Sequence, residues 1–236
     1  MGAYIGCDQE MVSSRHRPEL TYHNNMSTTD SALIRTIGYI ATTVAVTYCH
    51  KRGKAFTPAC PGLSLLQNVL LMMGIDDRDL KISTHLDKLW ILYADHELSC
   101  STAASLHVAS TLTDPISCFL AAVIAGSGPL HAGAIELCYD GLGMLGTVDN
   151  VPAYIDAVKA KQFRLFGYGH RVYKARDPRV GLIEELMEAN REAIDENPLL
   201  QVAMEIDRVA NTDPYFVERE LKVNVDLYGC FIYTAM

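Results

Sequence analysis

The chain has 236 residues, 49% of them hydrophobic and 20% charged, with a formal net charge of −8. That is the balance of a globular protein with a substantial buried core, and it excludes a disordered or fibrous one. The acidic excess also excludes a chain-wide nucleic-acid footprint, which needs clustered Lys and Arg, though a local cationic pocket remains open.

Seven cysteines, odd in number and never spaced Cys-x-x-Cys, read as reduced and mostly buried thiols rather than a disulfide framework. The first 25 residues mix Asp8, Glu10, Arg15, His16 and Glu19 with no apolar core of a signal peptide. The longest apolar run, residues 36–49, is short of the roughly 20 residues of a membrane span. The expectation is a soluble intracellular, cytoplasmic protein with no visible targeting signal and no membrane or nucleic-acid partner.

In chain order, almost every periodic segment predicts helix. Ser27, Thr28, Thr29 and Asp30 offer capping oxygens ahead of a helix that ends in His50-Lys51-Arg52 and a glycine stop. Pro58 and Pro61 break the chain, and an apolar helix over 63–73 closes at Gly74. Ile82, Leu86, Leu89, Trp90 and Tyr93 recur at helical spacing over 81–93, and another helix covers 101–110. Residues 115–125 are nearly apolar all round, which predicts a helix buried inside a bundle. Asp149-Asn150 is read as the cap of a helix over 151–161. Asp177-Pro178 is an N-cap acid followed by proline, opening a helix through Ile183, Leu186 and Met187. A last helix covers 199–209. No period-2 alternation is sustained, so the predicted fold is mainly α.

Two glycine-flanked segments interrupt the helices, Gly126-Ser127-Gly128-Pro129-Leu130-His131 and Gly167-Tyr168-Gly169-His170. Each delivers a histidine from a turn of unusual backbone geometry. Asp95-His96-Glu97 lacks the second histidine of a zinc-protease helix. His85 and His107 stand in helical text without a supporting motif and read as structural; His16, His23 and His50 read as exposed.

Taken together and in order, Ala94-Asp95-His96-Glu97, Gly128-Pro129-Leu130-His131, Gly167-Tyr168-Gly169-His170-Arg171-Val172-Tyr173-Lys174 with Asp177-Pro178-Arg179, and Asn224-Val225-Asp226 resemble the citrate synthase family. The successive intervals His96–His131, His131–His170 and His170–Asp226 are 35, 39 and 56 residues, close to the family's. The resemblance covers the chain from about residue 28 onward. It implies a two-domain helical fold and the condensation of acetyl-CoA or a longer acyl-CoA with oxaloacetate, giving citrate or an alkylcitrate and CoA. It assigns Asp226 as the base, His131 as donor to the enol oxygen and His170 as donor to the ketone oxygen. His96 and Arg179 are assigned to the oxaloacetate carboxylates, and Lys174 to CoA phosphate. No metal and no tightly held cofactor is implied.

By the same resemblance, residues 1–133 form part of a large helical domain and 134–236 a small domain carrying the substrate-binding and catalytic residues. A homodimer is implied. The family's usual Gly-Gly after the histidine matched by His131 stands here as Ala132-Gly133, and its Ser-Gly after the base as Gly229-Cys230. Family chains extend further at both ends, and two more carboxylate-binding arginines are expected in text beyond Met236. The expectation for these 236 residues alone is therefore little citrate formation. The rival reading is a shortened, non-catalytic relative that acts as a binding or dimerisation partner; an alkylcitrate product would place the chain in specialised metabolism.

Overall fold

A computed structural model describes residues 26–94, 97–170 and 177–235. Among them twelve α-helices and one short 3-10 turn are connected without a β-strand. The chain divides into two compact units, residues 1–126 and 127–236.

In the first unit, α1 (Met26–Arg52) is followed by α2 (Leu65–Met73), α3 (Lys81–Tyr93), α4 (Cys100–Ala109) and α5 (Pro115–Gly126). The predicted capping run at Ser27–Asp30 lies inside α1 rather than before it. Although the apolar run is short, Thr29–Arg52 within α1 is long and apolar enough to cross a membrane by length and composition alone. It also packs into this unit: Ala45 meets Val69 and Met72 of α2, and Ala32 meets Ile116 of α5. α2 starts on a reciprocal capping box between Ser64 and Gln67 and stops where Gly74 turns left-handed at φ 66°. α3 occupies the predicted span, and Ser99 caps α4 by accepting from the Thr102 amide.

α5 departs from expectation. It is helical and apolar, but only Ile116 and Cys118 are buried, and Ile124 is 72% exposed. An all-round apolar sequence marks faces that can be buried; it does not supply the neighbours that bury them.

The second unit contains α6 (Ala134–Leu145), a 3-10 turn (Val148–Asn150), α7 (Val151–Lys159), α8 (Val180–Ala189), α9 (Arg191–Glu196), α10 (Pro198–Thr212), α11 (Pro214–Val217) and α12 (Val225–Ala235). α6 and α12, which carry glycines in their interiors, were not anticipated as helices. Asn150 does not cap α7 with its side chain; its Nδ2 donates instead to the Leu145 carbonyl. α8 begins at Val180, three residues later than the Asp-Pro signal, although Asp177 Oδ1 still accepts the Arg179 amide in the turn before it.

α12 is the centre of this unit: Val225, Leu227, Tyr228, Gly229, Cys230, Phe231 and Ile232 are all buried. It packs against α6, α8 and α10. Of the described cysteines, Cys49, Cys118, Cys138 and Cys230 are buried, Cys60 and Cys100 are exposed, and all are free thiols.

These burials predict opposite outcomes for two apolar truncations. Phe231→Ala, at 1% exposure, should cost about 3–5 kcal/mol in urea unfolding of the second unit. Ile124→Ala should stay within about 0.5 kcal/mol, as at an ordinary surface position.

Candidate active site

Asp226 lies in the first turn of α12 and His170 follows the Gly167-Tyr168-Gly169 turn. Three backbone and side-chain ties hold these segments together. Tyr168 and Val223 form an isolated antiparallel bridge, with the Gly169 amide donating to the Lys222 carbonyl at 2.7 Å and the Asn224 amide to the Gly167 carbonyl at 2.9 Å. Asn224 Nδ2 then donates to the Gly169 carbonyl, and its Oδ1 accepts the Asp226 amide, both at 2.9 Å. One buried asparagine therefore joins the turn before His170 to the start of the helix that bears Asp226.

The glycines have separate physical reasons. Gly167 has φ +83°, and a Cβ there would lie 2.7 Å from the Cβ of Leu227 on α12. Both its conformation and its distance from the helix exclude a side chain. Gly133 has an ordinary φ, but a Cβ would lie 2.5 Å from the Ser127 carbonyl oxygen and 2.8 Å from that of Gly128.

That tight loop carries His131. Its amide donates to the Gly128 carbonyl, and its own carbonyl accepts the Ala134 amide at the start of α6. His131 is partly buried. α6 in turn packs on α12, where Cys230 Sγ donates to the Ile135 carbonyl at 3.5 Å. The unusual Cys230 is thus 2% exposed and points at the α6 backbone, while Ala132 is exposed.

Arg179 reaches Asp177 with a fork. Nε donates to Oδ1 at 3.0 Å and Nη2 to Oδ2 at 2.8 Å, with the Asp177 side chain 1% exposed and the Arg179 side chain 14%. Burial raises the Asp177 pKa, but the Arg179 hydrogen bonds and charge outweigh it, helped by nearby His170, so the carboxyl ends below its ordinary value. Asp226 goes the other way. Burial pushes it up to about 6, Arg179 pulls it back and Asp177 adds to the rise. A helix N-terminus alone would favour the ionised form, so desolvation wins here.

Four of the six anticipated site residues, His131, His170, Arg179 and Asp226, thus fall in the second unit. His96 and Lys174 lie outside the described residues. Two contributors carry no assigned role in the site from sequence alone. Asp177 was read as a helix cap and also clamps Arg179; Asn224 stood in the motif as a neighbour only. The Asn-x-Asp spacing was the available signal, since an Asn side chain commonly accepts the amide two residues on. Among the described residues no group of three or more His, Cys, Asp or Glu is placed to hold a metal ion.

The family described as citrate synthase, C-terminal domain, matches residues 9–236. A citrate synthase-like protein from a Phoma species is 62% identical over the whole of this chain and 51% of its own length. An alkylcitrate synthase from a fungal species is 35% identical, over 100% of this chain and 52% of its own. The chain therefore spans about half the length of these relatives. Among solved structures, the citrate synthase of Thermoplasma acidophilum in ternary complex with carboxymethyl coenzyme A and oxaloacetate superposes with a TM-score of 0.78 at 26% identity, covering 95% of this chain and 59% of that one.

Two outcomes follow from the charges. Between about pH 4 and 6 the unfolded Asp226 carboxyl is ionised while the folded one keeps its proton, so stability should fall as pH rises, by up to about 3 kcal/mol. Asp226→Asn should remove that slope in urea midpoints measured across this range. Arg179→Leu strands the buried Asp177 and should cost about 3–5 kcal/mol of stability; adding Asp177→Asn should recover part of it, read by the same unfolding assay.

Proposed function

The chain belongs to the citrate synthase family, and on that premise we propose that it condenses an acyl-CoA with oxaloacetate to give citrate or an alkylcitrate plus CoA. The observation that carries this reading is Asp226: a carboxyl at the start of a buried helix, pushed up to about 6 and tied through Asn224 to the His170 turn. A base of this strength is still ionised near neutral pH and takes a proton more readily than an ordinary carboxylate.

In the proposed sequence, the Asp226 carboxylate removes a proton from the carbon next to the thioester carbonyl. His131 donates a hydrogen bond to the enolate oxygen that forms. The enolate carbon then attacks the ketone carbon of oxaloacetate, and His170 gives a proton to the ketone oxygen as it becomes a hydroxyl. Water finally cleaves the thioester, releasing CoA and the tricarboxylic acid. Arg179, with His96, is assigned to the oxaloacetate carboxylates and Lys174 to the CoA phosphates. The Asp177 clamp supports this for Arg179 by fixing the guanidinium plane in a partly desolvated setting. No step calls on a metal or a bound cofactor.

The alkylcitrate synthase likeness supports a longer acyl group as an alternative to acetyl. Exposed Ile34, Ile37 and Val44 on α1 support burial of that helix against a further surface, and a homodimer is part of the proposal. So is an intracellular location, where acyl-CoA and oxaloacetate are available.

The test is oxaloacetate-dependent release of free CoA across a series of acyl-CoA lengths, with the products identified by mass. Asp226→Asn should lower kcat by about 10³-fold or more while oxaloacetate binding changes little, because the base is removed and the clamp is not. With the wild-type residue, kcat should fall as pH drops through about 6, where Asp226 takes up its proton. Equal turnover in the variant would exclude Asp226 as the base.

A further inference from the structure

On α10, one carboxylate accepts hydrogen bonds from both halves of the proposed site. Tyr168 donates to Asp207 Oδ1 at 2.5 Å, Asn211 Nδ2 donates to the same oxygen at 3.0 Å, and Tyr228 donates to Oδ2 at 3.4 Å. Both tyrosines are buried, at 7% and 6% exposure. Tyr168 stands two residues before His170 and forms the backbone bridge to Val223; Tyr228 stands two residues after Asp226 in α12.

Packing alone does not call for this arrangement. The Tyr168 ring already meets Phe216, and the Tyr228 ring meets Phe231, each with centroids 6.1 Å apart. Phenylalanine would serve those contacts without bringing two hydroxyls into a buried region, where each needs a partner. Asp207, Tyr228 and Phe231 also border an open groove of about 650 Å³ together with Met187 and Met204. Residues 226 and 228 are roughly 200° apart around a helix, so Tyr228 holds α12 from the side away from the Asp226 carboxyl. A hydroxyl-to-carboxylate bond at the short Tyr168 distance is among the stronger and more directional ties available.

We propose that Asp207 is a positioning residue for the condensation: through Tyr168 and Tyr228 it sets the His170 turn and the Asp226 turn of α12 in register. The inference rests on the assignment of His170 and Asp226 given above. Asn224 ties the backbones of the two segments at the front, with its own amide and its side chain; Asp207 ties their tyrosine side chains at the back.

The experiment compares Tyr168→Phe, Tyr228→Phe, Asp207→Asn and Asp207→Ala in the full chain. The first readout needs no turnover: NMR titration of the Asp226 carboxyl and the His170 imidazole. The groups facing Asp226, which are Arg179, Asp177 and Cys138, are unchanged in every variant. Tyr228→Phe should move the Asp226 midpoint by about half a unit or more, Tyr168→Phe should move that of His170, and Asp207→Ala should move both. Asp207→Asn keeps an acceptor and should fall between. In CoA release, the same variants should lower kcat about 10- to 100-fold with little change in the KM for oxaloacetate. Unmoved midpoints, with thermal stability alone reduced, would overturn the proposal; the Tyr→Phe variants decide this if Asp207→Ala does not fold. Asp226→Asn run beside them separates the two assignments. Full turnover there overturns the base, whereas lost turnover there with wild-type midpoints in the hub variants overturns only the role of Asp207.

Discussion

The second unit depends on the way Asn224 meets the Gly167–Gly169 turn. Its main-chain amide, its side-chain amide and its side-chain oxygen all act at one junction, and they reach Gly167, Gly169 and Asp226. Buried amide groups of this kind are costly when left unmatched, so alternative registers of the turn against α12 are penalised. The absence of a side chain at Gly167 completes the constraint, since the turn can approach Leu227 only there. Everything proposed for His170 and Asp226 presupposes this junction.

A second consequence of the junction is electrostatic. Beside the junction Asp226 is largely out of water, and Arg179 and Asp177 lie close enough to act on its charge, with His170 acting on Asp177. Two carboxyls in one neighbourhood are driven in opposite directions: Asp177 has a cation held in a fork, and Asp226 feels that cation only at a distance. The division separates a structural anion from one free to exchange a proton. Which carboxyl takes which role is set by the partner each one touches.

Much of this was legible in the residues, and the parts that were not have identifiable causes. α3 has apolar residues at strict helical spacing, and its span matches what that spacing predicts. α2 was equally plain, because capping serine and terminal glycine bracket it. α6 and α12 were missed since their interior glycines weaken helical propensity, and tertiary packing overrides it. The burial of α5 was overestimated because composition reports which faces could be covered, not whether they are. In the site, histidines and the aspartate stood out through their glycine-rich or motif settings. Asn224 and Asp207 did not, because their value lies in partners 55 and 39 residues away in the chain. Such links have no local signature.

Of the described cysteines, the solvent-open ones both lie in the first unit, which also buries Cys49 and Cys118. Cys138 and Cys230 lie within the second unit's core, and the neighbouring Cys230 thiol together with burial holds Cys138 well above the usual thiol range. A thiol that stays protonated and enclosed is a poor nucleophile. Cys60 and Cys100, in the first unit, are open to solvent. Among the described residues, a maleimide dye would therefore mark the first unit and leave the helices around Asp226 unmodified. The native chain thus offers attachment points for a fluorescent reporter that need no engineered cysteine and leave the chemistry of the second unit undisturbed.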